Sequence, residues 1–239
     1  MPSVADAIAG AQHPGQRAPK KPTVLVAGAA GRLGERILSR LLGSGDYSRI
    51  YVLANDDMRS TESRLTAVTL DHWNERVDHV IAVVEDRDAG GLAHIARKRT
   101  DIFSALEAAE VPAIAQRAES LGVARLMVVT PGDPGARPAA IYAQLANVME
   151  ADLARLQFEA LLLVRPAGLG GAAARPSGFS GLAQRFLHLL LDTARGLMVG
   201  KHPPLSLENA ARAIVTAMFA SAPGIHVIEP EKLHAFLKA

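Results

Sequence analysis

The sequence contains no cysteine. This excludes disulfides, thiolate zinc sites, iron–sulfur clusters and a cysteine nucleophile, and it fits a reducing, cytoplasmic setting. Aromatic residues are scarce too, at 4% of the chain against an apolar fraction of 49%. The core must therefore be built from Ala, Val, Leu and Ile, a composition suited to helices layered on a sheet. Neither sign of charge prevails, with 26 basic and 24 acidic residues, so no general field favours nucleic acid or a membrane surface. No run reaches the roughly 20 apolar residues that a membrane helix requires. The eight histidines, His13, His72, His79, His94, His188, His202, His226 and His234, include no His-x-x-x-His or His-Glu-x-x-His grouping, and no metal site is expected.

What the sequence does contain is alternation. The first 21 residues carry Pro2, Pro14, Pro19 and the pair Lys20-Lys21, lack the pattern of a signal peptide, and are expected to form a flexible tail. From residue 22 short aliphatic runs alternate with longer segments of helical period, the signature of a parallel sheet covered on both faces. Strands are expected at 23–27, 50–54, 65–70, 79–84, 126–130, 160–164 and 225–228. Helices are expected at 32–42, at 139–156, 181–192, 208–220 and 231–238, with a broken one over 100–121. Gly43 and Gly122 are placed to stop the first helix and the helix before Val123, since a left-handed cap favours glycine. The 239 residues read as one α/β domain, a doubly wound parallel sheet of Rossmann type, with a small substrate-side extension from about residue 165. The loops at 131–135 and 166–181 follow strands and fall where such sheets bind ligands. The apolar stripe Phe186, Leu187, Leu190 and Leu191 is either core or a homodimer contact.

The first strand-to-helix turn carries the most specific signal. Thr23-Val-Leu-Val-Ala27 runs into Gly28-Ala-Ala-Gly31-Arg-Leu-Gly34, and a helix with apolar Ile37, Leu38, Leu41 and Leu42 follows. In such a unit one glycine adopts angles closed to other residues, a second lets main chain approach a pyrophosphate, and a third lets helix meet strand. The phosphate then faces the amides of a helix N-terminus. A tight turn with no ligand is the plainer alternative.

The spacing Gly28-x-x-Gly31-x-x-Gly34 resembles the fingerprint of the extended and atypical short-chain dehydrogenase/reductases. The stretch 121–130, Leu-Gly-Val-Ala-Arg-Leu-Met-Val-Val-Thr, is similar to a later strand of that family, Arg165-Pro166 to its Arg-Pro loop, and 206–214 to a helix near its C-terminus. Proteins of the Tat-interacting-protein-like and sugar-nucleotide-epimerase-like groups are the nearest in pattern. The resemblance implies an NAD or NADP cofactor held by Gly28, Ala30, Gly31, Arg32, Leu33 and Gly34, with Asn55 at the ribose and Val84 beside the cofactor after the fourth strand. It also implies a small-molecule substrate. Asp56 and Asp57 favour NAD and Arg59 favours NADP, a balance that leans slightly to NAD.

For catalysis the resemblance implies Thr130 as substrate anchor and Tyr142 as proton donor. The family's lysine, four residues after the tyrosine, falls at Ala146. A phenol without that cation keeps a pKa near about 10 and is a poor acid catalyst at neutral pH. Three readings follow: an oxidoreductase or epimerase-like enzyme with a degenerate triad, a noncatalytic dinucleotide sensor that regulates a protein partner, and a fold that binds no cofactor.

Overall fold

In the computed structural model, residues 21–55, 63–84, 103–130, 149–166 and 205–237 are described. Seven strands form a single sheet: β1 (Thr23–Ala27), β2 (Arg49–Leu53), β3 (Leu65–Val68), β4 (His79–Val83), β5 (Arg125–Val129), β6 (Ala160–Val164) and β7 (Gly224–Ile228). Their order is β3-β2-β1-β4-β5-β6-β7 and each pairing is parallel. The expected doubly wound Rossmann sheet is therefore present, with strand limits within two residues of the sequence reading.

Alternation along each strand feeds two separate cores. Val24, Val26, Ile81, Met127 and Leu162 face one side, where they meet α1 (Arg32–Ser44), α3 (Leu207–Ala220) and α4 (Pro230–Phe236) through Ile37, Leu41, Ile214, Met218 and Leu233. Leu25, Val80, Leu126 and Leu161 face the other, where they meet α2 (Val111–Ser120) through Ile114, Ala115 and Ala118. Burial on both faces explains why β4 and β6 read as unbroken apolar runs rather than as alternating ones. Residues 205–237 thus add a strand to the same sheet and helices to the same core as the glycine turn.

Three features differ from the sequence reading. α1 runs past Gly43 and stops at Gly45, whose φ of 66° supplies the left-handed cap. Gly43 sits on the exposed face with nothing near its missing side chain, so the chain has no reason to turn there. The second stop is where it was expected: Gly122 has a φ of 69°, and Val123 donates its amide back to the Ala118 carbonyl at 3.0 Å. The third difference is the broken helix. Residues 103–106 are extended, and helix begins only with a single 3-10 turn at Ala108–Glu110 that leads into α2, with Pro112 in its first turn. Of the helix expected at 139–156, residues 149–153 are helical within the described part. The tail at 1–20, the stripe at 186–191 and the loop at 167–181 lie outside the described residues.

The amino-terminal edge of the sheet, opposite the ligand edge, is fastened by polar contacts. The Thr23 amide and hydroxyl donate to one Asp78 carboxylate oxygen at 2.7 and 2.9 Å, joining the starts of β1 and β4. Beside them the Tyr47 hydroxyl lies 2.9 Å from His79 Nδ1, and both rings contact Phe219. Tyr47 is 1% and His79 8% exposed. Burial lifts the phenol well above its usual range, and burial, aided by nearby Arg125, lowers the imidazole to about 4. Both groups are neutral at pH 7, so the phenol donates to Nδ1.

A histidine whose folded pKa lies below its unfolded value of about 6.5 favours the fold only while neutral. Its contribution is complete above pH 6.5 and declines as the pH falls from 6.5 toward 4. Melting temperature is therefore expected to fall over that window. The variant His79→Asn, which keeps an acceptor for Tyr47, is expected to melt lower at pH 7 but with a flatter profile from 6.5 to 4. An unchanged slope in a pH series of thermal melts refutes the assignment.

Candidate functional site

The carboxyl ends of β2, β1, β4 and β5 lie side by side, and each delivers a residue singled out in the sequence. β1 ends at Ala27, and Gly28 turns the chain with a φ of 84°. A side chain at 28 would collide with the Val83 carbonyl oxygen at the end of β4 and would stand 3.1 Å from Leu106 Cβ. A side chain at 34 would collide with the Gly28 carbonyl oxygen. The outer two glycines are thus required by contacts internal to the fold, one by angle and approach, the other by the seating of α1 on β1.

Gly31 is different. It is the N-cap of α1 with φ −72° and ψ 157°, angles open to any residue. Its amide donates to the Gly28 carbonyl at 3.3 Å, and its carbonyl accepts from Glu35 at 2.8 Å, closing the first helical turn. Gly31, having no side chain, supplies no side-chain cap to this helix end. The amides of Leu33 and Gly34 belong to its first turn, where helix geometry offers N–H groups no intrahelical acceptor. The positive end of the α1 dipole points to the same place. Leu33 is buried in the first core, so it can serve a ligand only through main chain, whereas Arg32 is exposed.

Asn55 follows β2 and is exposed at the ligand edge. Val84 follows β4; its amide donates to the Val129 carbonyl at 2.9 Å, and its side chain is buried in the second core. Thr130 follows β5 and is half-buried. Its amide donates to the Val164 carbonyl at 3.0 Å and its hydroxyl to the same oxygen at 3.4 Å. Tyr142 and Ala146 lie outside the described residues, as do Asp56, Asp57 and Arg59. Among the described residues no group of three or more His, Asp or Glu residues could hold a metal ion, and no helix is long and apolar enough to cross a membrane.

Two constellations at this edge escaped the sequence reading. Arg165, at the end of β6, donates to both carboxylate oxygens of Glu150 at 2.6 and 2.7 Å and to Glu229 at 3.1 Å. It therefore ties the ends of β6 and β7 to the helical turn at 149–153, and Glu150, first among its partners, holds the guanidinium pKa above its usual value. The Arg-Pro dipeptide at 165–166 was visible in the sequence, but nothing in the spacing identified its two partners. The second is residues 103–106, which cross the sheet end beneath the glycine turn. Phe103 bridges Ala54, Leu106 bridges Val84, and Ser104 bonds main chain on both sides. Helical periodicity masked this segment.

No protein-family model matches the chain. A relative from Eremothecium gossypii named protein FMP52, mitochondrial, is 22% identical over 224 residues, spanning 90% of this chain and 96% of its own length. Among solved structures, MoeE5 in complex with UDP-glucuronic acid and NAD superposes with a TM-score of 0.54 at 17% identity, over 87% of this chain and 75% of its own. A short-chain dehydrogenase/reductase superfamily protein from Agrobacterium tumefaciens with bound NAD gives 0.51 at 15% identity, over 87% and 76% of the two chains. The chain has the Rossmann α/β fold that these structures share, with its glycine turn after β1, beside the central strand of a seven-stranded parallel sheet.

Proposed function

We propose that the chain is an NAD(P)-binding protein of the short-chain dehydrogenase/reductase type, with NAD the favoured cofactor. The observation that carries this reading is the left-handed Gly28 turn opening onto the N-terminus of α1, at the end of β1 and beside the central strand β4. Residues 28–34 would hold the pyrophosphate through main-chain amides, and Asn55 would meet the adenosine ribose. The residues present fit such a group: Gly31 has angles that any residue could adopt, yet lacks a side chain at the point where phosphate must approach main chain. NAD-bound structures with the same fold support the reading.

A bound nicotinamide would supply or accept the hydride. Thr130 would anchor the reacting oxygen, and to do so its hydroxyl exchanges the long 3.4 Å bond to Val164 for the substrate. Tyr142 would move the proton. A carbonyl compound or the sugar of a nucleotide sugar is the substrate class. Ala146 in place of a lysine favours a second reading, a dinucleotide sensor that uses the same cradle without turnover.

Titration with NAD, NADH, NADP and NADPH followed by thermal shift tests the core of the proposal. Ligand at about 100 times its dissociation constant stabilises a fold by about 2.7 kcal/mol, a rise of several degrees, and absence of any shift overturns the reading. Gly31→Asp, whose fold is checked by a thermal melt because Gly31 is buried, is expected to weaken binding at least about 100-fold by occupying the α1 amides and repelling phosphate. Retention of binding in isothermal titration removes the pyrophosphate from this turn. Tyr142→Phe is expected to abolish turnover of a carbonyl substrate with cofactor affinity unchanged. Surviving turnover shows that another group moves the proton.

A further inference from the structure

The segment 103–106 is sewn into the sheet end at four points. Phe103 forms an antiparallel bridge to Ala54 just beyond β2, and Leu106 a parallel bridge to Val84 just beyond β4. Between them, Ser104 donates its amide to the Leu53 carbonyl at 3.2 Å and its hydroxyl to the same oxygen at 3.0 Å. Its carbonyl accepts from the Ala30 amide at 3.4 Å, inside the glycine turn. Leu106 is 2% exposed and backs Gly28, where a Cβ would stand 3.1 Å from its own. The segment therefore runs from β2 to β4 across the end of β1, fastened to both flanking strands and to the turn between them.

We infer that Ser104 is a positioning residue for the dinucleotide cradle, holding the glycine turn and the end of β2 in the relation that a bound adenosine diphosphate moiety requires. The inference rests on the dinucleotide-binding reading and deepens it by naming what preorganises the site. Ligand affinity depends on how little the receptor must be ordered on binding. In the glycine turn the Ala30 amide reaches outward to another segment, and the Ser104 carbonyl receives it. The same residue grips Leu53, two positions before Asn55, so one side chain and the two peptide groups flanking it couple the pyrophosphate end of the cradle to its ribose end. With the Ala30 amide engaged by Ser104 and the Gly31 amide by Gly28, the pyrophosphate is left to the first-turn amides of α1 at Leu33 and Gly34.

Three forms of the full chain test this: wild type, Ser104→Ala and Ser104→Thr. NAD and ADP affinities are measured by isothermal titration well below the melting temperature, alongside thermal melts without ligand. Ser104→Ala removes the hydroxyl bond and is expected to weaken both ligands about three- to tenfold, the range of one hydrogen bond. Ser104→Thr keeps a hydroxyl and is expected to restore wild-type affinity. A purely structural serine would lower the melting temperature of the alanine variant while leaving both affinities at the wild-type value, and that result overturns the inference. Binding by the wild type with equal affinity in all three forms sinks the role of Ser104 alone. Absence of binding by the wild type sinks the dinucleotide reading and the inference with it.

Discussion

The close approach of Gly28 to the carbonyl of Val83 is the constraint around which the ligand edge is arranged. Parallel strands β1 and β4 bring their carboxyl ends together, and the chain leaving β1 must turn at once, because any side chain there would strike the end of β4. Only a glycine in the left-handed region satisfies both demands. The turn then hands the chain to α1, and Gly34 lets that helix sit directly on the Gly28 carbonyl. The helix end is thereby fixed over the central crossover of the sheet, the place where a doubly wound fold receives a nucleotide.

The rest of that edge is braced by main chain and by one cation. Residues 103–106 span the ends of β2 and β4, while Arg165 gathers Glu150 and Glu229 from two neighbouring elements. Arg165 fastens strand ends through charge alone, whereas the 103–106 segment also seats Leu106 in the second core and Phe103 against the first. The opposite edge is closed differently, by the buried Tyr47–His79 pair and the Thr23–Asp78 contact. The two edges therefore answer to different physics: one is braced by main-chain bonds and an ion-pair cluster, the other buries neutral polar groups against aromatic rings.

Under the proposed function, Ala146 in place of a lysine separates binding from chemistry. The cradle is made of backbone, and a backbone cradle survives whatever stands at position 146. Proton transfer depends instead on side-chain pKa, which a neutral alanine cannot lower. Under that proposal, such a chain would keep nucleotide recognition while its chemistry is altered or given up.

The strands and the glycine turn were legible in the sequence because they depend on local periodicity and on backbone angles that few residues tolerate. Seven aliphatic runs marked seven strands, and Gly28-x-x-Gly31-x-x-Gly34 marked the cradle. Gly43 misled, because two glycines stand within three residues and only the path of the chain toward β2 selects Gly45 as the cap. Residues 103–106 misled more, since an Ala-rich run with helical spacing hides a segment whose extended form is imposed by partners at Leu53, Ala54, Ala30 and Val84. The sequence by itself determined the layers, the strand number and the glycine turn after β1, all properties of nearest neighbours along the chain. The tertiary structure alone decided which distant groups meet there, Ser104 with Ala30 and Arg165 with Glu150 and Glu229, because hydrogen bonds and ion pairs are satisfied in space and leave no period in the sequence.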